Sequence, residues 1–377
     1  MLQSTGAIYR VCMPASGNWN GDLVVFAHGY VAPQVPLGIP EDQLALPDGT
    51  SIPGIVNGLG FAFAVTSYRK NGLAVVEGVF DVVDLVIAFK ASHPQTRRVY
   101  LVGVSEGGLV TALALEHYTN VFTAGMAICG PIGDFRRQIN YWGDFRVLFD
   151  YFFSGVLPPS PVKIPDGLID QWGTLYIPRI ETALAANPSA TSQLIRVSSA
   201  AIDPIDPTSA GKTVLGVLWY NVFATNEGNT ELGGQPYDNL QRWYFGSTND
   251  LRLNLDVQRF SADPAALAEI QENYQTSGLL MAPLVTLHNV ADPIIPYWQE
   301  TLFRTKTLTT GSAQLYSNIP ILRYGHCNVT SSEALAGFAL MVLRGAGLRL
   351  AGAESGLSDP KNSIDYLGLA KEHGLIP

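Results

Sequence analysis

Short apolar strands alternate with helical segments along most of this chain, and that alternation limits the fold more than any other feature. Strand-like runs lie at 61–67, 98–103 and 123–129, and the segments 75–89 and 107–118 carry apolar residues at helical spacing. Parallel strands need crossover connections, which are usually helices. The pattern therefore predicts an α/β fold with a mostly parallel central sheet flanked by helices.

The alternation is interrupted once and then resumes. The resumed part contains, in order, a strand at 281–288, a helix around 299–305, a strand within 313–322 and a helix at 331–344. We assign residues 1–130 and 281–350 to one core. At its start, the runs 7–13 and 23–27 flank a turn-rich segment, which predicts a hairpin or a wide β-turn and an antiparallel first strand.

Residues 131–280 separate the two parts of the core. Aromatic residues crowd the beginning of this insertion: Tyr141, Trp142, Phe145, Phe149, Tyr151, Phe152 and Phe153. Taken singly, most of them fit the ordinary core of a helical subdomain. Taken together, they predict an inserted, mainly helical cap over a pocket. The tail 351–377 either docks on the body or helps to form a homodimer.

The charge balance excludes some partners. The chain has 377 residues, of which 23 are Lys or Arg and 32 are Asp or Glu, and its net charge is −9. Because no basic field exists to hold a phosphate backbone, nucleic acid is not an expected partner. A transmembrane segment is not expected either, because apolar runs such as 101–104 and 281–287 are far shorter than the ~20 residues that cross a bilayer.

Three cysteines, Cys12, Cys129 and Cys327, are too few and too scattered for a disulfide scaffold or a structural zinc cluster. One pair could still bridge, and a bridge at Cys327 would stiffen the loop around His326; a free buried thiol is the equal alternative. No metal site is predicted. The N-terminus lacks the pattern of a signal peptide, so the protein is either cytoplasmic or secreted with its leader already removed.

One pentapeptide carries a chemical signal: Gly103-Val104-Ser105-Glu106-Gly107, which matches G-x-S-x-G. The match alone is weak, but an apolar strand runs into it and a helical segment leaves it, as a nucleophile elbow requires. Side chains at Gly103 or Gly107 would collide with a neighbouring strand or helix. Ser105 is therefore the candidate nucleophile, and a helix entry of no chemical use is the alternative.

A serine hydroxyl needs a neighbouring base to take its proton. His326 is the best placed histidine, because it follows the last predicted strand, where ligand chemistry sits in open α/β sheets. The other five lie in turns or at the ends of helices and strands: His28, His93, His117, His288 and His373.

The base in turn needs an acid that fixes its tautomer. Asp292 follows the strand run 284–287 and precedes His326 in the chain. A plain turn aspartate before Pro293 is the alternative.

Acyl transfer also needs donors for the oxyanion. Two backbone amides are candidates, that of Glu106 at the start of the helix after the elbow and that of Tyr30 just past the strand 23–27. Gly29 lets the backbone turn under a substrate, and His28 is expected to brace this loop by hydrogen bonding.

Together these parts resemble the α/β-hydrolases, specifically the carboxylesterase and lipase-like branch with a large cap. The matching segments span most of the chain in the family's order: His28-Gly29-Tyr30, Gly103 to Gly108, Asp292 to Pro296 and Tyr324 to Cys327. The resemblance implies that Ser105 is the nucleophile, His326 the general base and Asp292 its orienting acid. His-Gly-Tyr departs from the longer glycine run of the hormone-sensitive-lipase-like branch.

With these residues and no phosphate-binding glycine loop, the sequence predicts two-step acyl transfer to water without a cofactor. The expected substrates are small or polymeric carboxylic esters of hydrophobic or aromatic character, feruloyl compounds and polyesters included. A serine peptidase of the same fold is the alternative, with Asp144, Asp150 and Glu181 as candidate anchors for an α-amino group. A non-catalytic ligand-binding relative is the second alternative.

Overall fold

The structure is a computed structural model that describes residues 1–348 and 364–377. These residues form two compact units, one made of 1–134 with the described part of 276–377, the other of 135–275. The second unit lies inside the predicted insertion 131–280, whose function as a cap stays a prediction. None of the helices within the described ranges is long and apolar enough to cross a membrane.

The described residues contain a sheet of seven strands in the first unit. The strands are β1 (Tyr9–Cys12), β2 (Leu23–Ala27), β3 (Ala62–Thr66), β4 (Val99–Val104), β5 (Ala124–Ile128), β6 (Leu284–Ala291) and β7 (Tyr316–Tyr324). Their order in space is β1-β3-β2-β4-β5-β6-β7, with β1 antiparallel to β3 and every other neighbouring pair parallel.

The helices follow in chain order. They are α1 (Ile52–Gly58), α2 (Val75–Ser92), α3 (Glu106–His117), α4 (Phe135–Phe152), α5 (Asp166–Asp170), α6 (Ile177–Ala186), α7 (Pro188–Ser198), α8 (Ser209–Glu231), α9 (Asp250–Asp256), α10 (Pro264–Glu269), α11 (Trp298–Thr310), α12 (Ser331–Gly345) and α13 (Tyr366–Glu372). Helix α12 begins with a capping box between Thr330 and Glu333, which satisfies backbone amides that a helix start leaves without partners.

The predicted hairpin at the start of the chain is wrong. β1 pairs with β3 rather than with β2, with Tyr9 opposite Thr66 and Cys12 opposite Phe63. β2 is a run of five buried apolar residues, and it lies between two parallel neighbours, β3 and β4. The antiparallel first strand is confirmed, but its partner comes from much further along the chain.

Helices cover both faces of the sheet. A side chain at Gly125 in β5 would collide with Leu115 of α3. A side chain at Gly337 in α12 would collide with Leu287 of β6 and touch Met126 of β5. Gly125 and Met126 are successive strand residues, which point to opposite faces. The predicted fold class, a mostly parallel sheet flanked by helices, is therefore confirmed.

The C-terminal tail is described from residue 364 onwards, and the predicted tail residues 351–363 lie outside the described residues. In the described part, α13 packs against α12. Tyr366, Ala370 and Ile376 are buried in the hydrophobic core of the first unit. This end of the tail therefore docks on the body.

The second unit is helical, and its longer helices α4 and α8 pack together, with α7 against α4. Arg146 of α4 is fully buried; its guanidinium pairs with Asp150 at 2.9 Å and donates to the Asn221 side chain at 3.0 Å and the Pro158 carbonyl at 2.8 Å. Each of the three guanidinium nitrogens thus has an acceptor, as a buried charge requires.

The two ends of the second unit are fastened to each other. The Phe135 amide donates to the side-chain oxygen of Gln275 at 2.8 Å. The Phe135 ring also stacks on Tyr274, with ring centroids 5.1 Å apart. The chain thus enters and leaves this unit at one place.

Candidate active site

The candidate residues lie where the parallel strands end. They follow β2, β4, β6 and β7 in that order: His28-Gly29-Tyr30, Ser105, Asp292 and His326. The strand register places Ala27 opposite Gly103 and Val104 opposite Ile128, so neighbouring strands end at one level. Because the carboxyl ends of parallel strands share one edge of a sheet, segments distant in sequence meet there.

Ser105 occupies a tight turn between β4 and α3. Its backbone has φ 57° and ψ −118°, in the left-handed region that non-glycine residues seldom adopt. A Cβ atom on Gly103 would lie 1.9 Å from the Gly107 carbonyl oxygen, and one on Gly107 would lie 2.0 Å from the Ala27 carbonyl oxygen. Only glycine fits at either position, which is the steric condition for such an elbow.

A chain of hydrogen bonds joins Ser105, His326 and Asp292. His326 Nε2 lies 2.9 Å from the Ser105 hydroxyl, and His326 Nδ1 lies 2.7 Å from Asp292 Oδ2. Because a carboxylate only accepts, Nδ1 carries the hydrogen and Nε2 is left to accept from the serine. This arrangement can take a proton from Ser105 as its oxygen attacks a carbonyl carbon.

Asp292 is held rigidly at the end of β6. Its side chain is buried, and Oδ1 accepts hydrogen bonds from the amides of Ile294 at 2.8 Å and Ile295 at 3.0 Å. These bonds orient Oδ2 toward His326. Asp292 therefore makes the hydrogen bonds of a turn aspartate through one oxygen and contacts His326 through the other.

The loop that carries His326 is tied down on both sides. Cys327 forms a disulfide with Cys129, which directly follows β5, with 5.4 Å between the Cα atoms. Beyond it, the Asn328 carbonyl accepts from Arg323 at 2.8 Å and from Asn289 at 2.9 Å. Sequence analysis left the pairing of the cysteines open, since residues 198 positions apart meet only in the folded chain.

The loop after β2 passes close to Ser105. A Cβ atom on Gly29 would lie 3.2 Å from the Ser105 Cβ and from the Val104 carbonyl oxygen, so glycine permits this approach. Gln43 fixes the loop: its side-chain oxygen accepts from the Gly29 amide at 2.7 Å, and its nitrogen donates to the Tyr30 carbonyl at 3.3 Å. Gln43 could not be predicted from the sequence, because a lone glutamine in a short 3-10 helix carries no local signal.

His28 is buried beneath this loop. Its ring stacks on Tyr68 with centroids 4.0 Å apart, and Nδ1 contacts the Gly29 carbonyl at 2.7 Å. Tyr68 donates its hydroxyl to the His28 carbonyl at 3.0 Å. Burial lowers the pKa of His28 although the Gly29 carbonyl opposes the shift, so the ring is neutral at pH 7. The geometry matches a brace for the loop rather than a proton acceptor.

Glu106, whose amide is the other candidate oxyanion donor, points its own side chain away to a structural contact. The buried carboxylate accepts from the Ala74 amide at 2.9 Å. Ala74 is the N-cap residue of α2, where a negative charge is favoured by the helix dipole.

Cys129, His326 and Cys327 bring together atom types that metals bind, all within 4.8 Å of one another. The two sulfur atoms are bonded to each other and Nε2 faces Ser105. A thiolate is the form in which cysteine binds a metal, so this group is a disulfide beside a base rather than a metal centre.

Comparison with known proteins gives one family model and a set of solved structures. The model of the prolyl oligopeptidase family matches residues 53–141, which include the elbow and α3. No curated protein matches the chain.

The similar structures share little sequence with this chain. Lipase A of Candida antarctica in its closed state is 15% identical with a TM-score of 0.48, over 93% of this chain and 77% of the lipase. Feruloyl esterase B of Aspergillus oryzae is 15% identical with a TM-score of 0.47, over 94% and 82%.

An acylaminoacyl peptidase of Pyrococcus horikoshii is 14% identical with a TM-score of 0.45, over 97% of this chain and 43% of the peptidase. The chain thus spans less than half the length of that peptidase. The strand order and the strand-elbow-helix turn at Ser105 are those of an α/β-hydrolase fold, so the resemblance is confirmed at this level.

Proposed function

We propose that this chain, a serine hydrolase of the α/β-hydrolase fold, cleaves hydrophobic or aromatic carboxylic esters through an acyl-enzyme. The observation that carries the proposal is the unbroken series of hydrogen bonds from Ser105 through His326 to Asp292. The predicted function of the insertion as a cap belongs to the same proposal.

In the proposed reaction, the Ser105 oxygen attacks the ester carbonyl carbon while His326 Nε2 takes the hydroxyl proton. Asp292, hydrogen-bonded to Nδ1, stabilises the imidazolium that forms. His326 then gives the proton to the leaving alcohol as the ester C–O bond breaks. A water molecule then attacks the carbonyl carbon of the acyl-enzyme in the same way, which releases the acid and restores Ser105.

The oxyanion in this proposal is bound by the backbone amides of Tyr30 and Glu106. Gln43 holds the Tyr30 loop against the elbow, and the positive end of α3 favours negative charge near Glu106. Removing one such donor typically costs about 2.7–4 kcal/mol of barrier.

The contacts of the three carboxylates considered as anchors for a peptide amino group favour an ester substrate over a peptide substrate. Asp144 accepts from the hydroxyls of Tyr237 at 3.0 Å and Tyr244 at 2.7 Å and also pairs with Arg242. Asp150 is paired with the buried Arg146, and Glu181 is exposed. Two of the three are therefore committed inside the second unit.

Exposed apolar side chains on the second unit support hydrophobic or polymeric substrates. Trp243 and Phe245 are 51% and 68% exposed, although they flank the buried Tyr244. The side chain of Asn254 in α9 holds the Tyr244 backbone: its nitrogen donates to the Tyr244 carbonyl at 2.7 Å, and its oxygen accepts from the Tyr244 amide at 2.8 Å. An exposed apolar patch on a rigid support is typical of surfaces that bind apolar material.

The first test is hydrolysis of p-nitrophenyl esters from short to long acyl chains, beside methyl ferulate, with Ser105→Ala as the control. We expect turnover that falls by ~10⁴-fold or more in the variant while the fold is kept. Substantial ester turnover by pure Ser105→Ala protein would remove the elbow from the mechanism.

The proposed activity on polymeric esters is tested on a dispersed aliphatic polyester. The double variant Trp243→Ala/Phe245→Ala should slow release of acid from the dispersion while leaving turnover of a soluble short ester unchanged. Leu308→Ala, which removes a 62% exposed apolar side chain from the first unit, is the matched control. Equal loss on both substrates would contradict a surface-binding role.

The match to the prolyl oligopeptidase family over residues 53–141 favours a second candidate, a serine peptidase. Aminoacyl p-nitroanilides belong in the same panel for this reason. Anilide cleavage with little ester activity would make the chain a peptidase. Silence on both substrate classes would favour the non-catalytic relative.

A further inference from the structure

We propose that His288 is a positioning residue, protonated at neutral pH, which lies behind Asp292 and holds it ionised and oriented toward His326. The proposal rests on the proposed function, since it assigns His288 a part in the same site. Its basis is the set of atoms that surround the His288 ring.

His288 lies in β6 and is fully buried. Nδ1 lies 2.9 Å from a side-chain oxygen of Glu300, and Nε2 lies 2.7 Å from the Ile295 carbonyl oxygen. A backbone carbonyl can only accept, and so can an ionised carboxylate. If Glu300 is ionised, both ring nitrogens must donate, and the ring is an imidazolium.

The surroundings of Glu300 are those of a carboxylate that accepts hydrogen bonds. Its second oxygen accepts from the Thr286 hydroxyl at 2.7 Å, the Asn318 amide at 3.0 Å and the Tyr316 hydroxyl. The carboxylate is buried, and three donors converge on that one oxygen. Hydrogen bonds to the charged form favour it over the neutral acid.

The balance of effects on the ring agrees with this geometry. Burial lowers the pKa of His288, but the hydrogen bond and charge of Glu300, the charge of Asp292 and the Ile295 carbonyl outweigh it and raise the pKa overall. The Tyr297 ring, edge-on with centroids 5.7 Å apart, closes the remaining side.

His288 reaches the candidate triad directly. Its Nε2 lies 3.7 Å from Asp292 Oδ2, the same oxygen that accepts from His326. Ile295 makes a second link, because its amide donates to Asp292 and its carbonyl accepts from His288. Glu300, His288, Asp292, His326 and Ser105 therefore form one continuous series of polar contacts.

A fixed positive charge at this place has two effects. It favours the ionised form of the buried Asp292, and it opposes a second positive charge on His326 in the free enzyme. The base consequently stays neutral, and able to accept the Ser105 proton, at lower pH than it would without His288. The titratable groups that face His288 are Glu300 and Asp292 at its polar contacts and Tyr297 at its edge.

The first test observes the ring without substitution. Two-dimensional ¹H–¹⁵N spectra of protein labelled at histidine report whether each ring nitrogen carries a hydrogen, and His288→Gln or Glu300→Gln assigns the signal. We expect two protonated nitrogens on His288 at pH 8. A neutral His288 ring at that pH would overturn the proposal.

The second test is the pH dependence of kcat/KM on a p-nitrophenyl ester. Both His288→Gln and Glu300→Gln should move the acid limb to higher pH, by on the order of half a unit, because the fixed charge is lost. Tyr316→Phe is the matched control: it removes a hydrogen bond to Glu300 but leaves both charges, so its limb should not move.

The outcomes separate this proposal from the proposed function. If Ser105→Ala abolishes turnover but folded Glu300→Gln and His288→Gln keep the wild-type limb, the esterase stands and His288 is merely structural. Should His288→Gln fail to fold, Glu300→Gln and the spectra of the unsubstituted protein still decide the question. If no ester is turned over at all, the spectra alone test the charge on His288.

Discussion

Two imidazole–carboxylate pairs lie side by side in this protein, and they differ in what the second ring nitrogen contacts. His326 binds Asp292 through Nδ1 and meets the Ser105 hydroxyl through Nε2. His288 binds Glu300 through Nδ1 and meets the Ile295 carbonyl through Nε2. A hydroxyl can donate to an unprotonated ring nitrogen, whereas a carbonyl can only accept, so the second nitrogen of His288 must carry a hydrogen.

In our two proposals, this difference separates a base, His326, from a fixed charge, His288, although both pairs consist of the same residue types. His326 is 17% exposed, so a substrate can reach the serine beside it, whereas His288 is sealed. Asp292 lies between the two rings and serves both. With a carboxylate at Nδ1 of each ring, the two histidines therefore differ in whether Nε2 can accept or has to donate.

The largest expected effect comes from breaking the His326 side of the comparison. His326→Ala should lower kcat by ~10⁴-fold, about as much as Ser105→Ala, because the two act as a unit. Steady-state turnover of a p-nitrophenyl ester at pH 8 measures it. His288→Gln should lose far less at this pH; equal losses would mean that both rings act in proton transfer.

The disulfide belongs to the His326 side alone, so removing it should weaken that side selectively. Cys129→Ala/Cys327→Ala should lower the free energy of unfolding by about 2–4 kcal/mol and lower kcat, because the base loop loses a fixed end. Urea unfolding and ester turnover check both parts. Cys12→Ala, at the cysteine outside the bridge, is the control and should change neither.

The oxyanion loop offers a smaller effect. Gln43→Ala should lower kcat by roughly tenfold with KM nearly unchanged, because the Gly29–Tyr30 backbone loses the side chain that orients it. Gln43→Glu keeps the acceptor for the Gly29 amide and should recover part of the loss. A rise in KM without a fall in kcat would place Gln43 in substrate binding instead.

The effect furthest from the chemical step is a dependence of stability on pH from the His288 side. The folded-state pKa of His288 is raised above its ordinary 6.5, so its contribution is complete below that pH and is lost as pH rises through the folded value. Between pH 7 and 9 the free energy of unfolding should fall by up to about 1.4 kcal/mol per pH unit.

Urea unfolding across that range measures this slope. The lower limit of pH 7 avoids Asp144, where burial raises the pKa to about 6 although Arg242 opposes the shift. Glu300→Gln should flatten the slope and Tyr316→Phe should keep it. An unchanged slope in Glu300→Gln would assign the pH dependence to another group.

The elbow could be predicted from sequence because its motif is local. The motif lies within one strand-turn-helix segment, and the clash that excludes a side chain at Gly103 does too, whereas the clash at Gly107 is with Ala27 of the neighbouring β2. The positions of His326 and Asp292 could also be predicted, because each follows a recognisable strand and the ends of parallel strands share one edge of the sheet. Their catalytic roles stay predictions that the experiments above test.

Other features depend on contacts that no short segment records. The pairing of β1 with β3 and the bond between Cys129 and Cys327 join residues far apart in the chain. His288 looked like an ordinary strand-end histidine, because its character comes from Glu300 and the Ile295 carbonyl. The elements of the second unit could not be predicted one by one, because strand and helix patterns do not alternate clearly along this part of the sequence.

The fastened ends of the second unit have a consequence for how the chain is made. β5 and β6 are neighbours in the sheet, yet the whole second unit lies between them in the sequence. Closing a long flexible segment costs entropy, but a folded insertion whose Phe135 and Gln275 already touch acts as a short connector. We therefore expect the second unit to fold during synthesis before the sheet is complete. Until β6 leaves the ribosome and pairs with it, the apolar edge of β5 stays exposed.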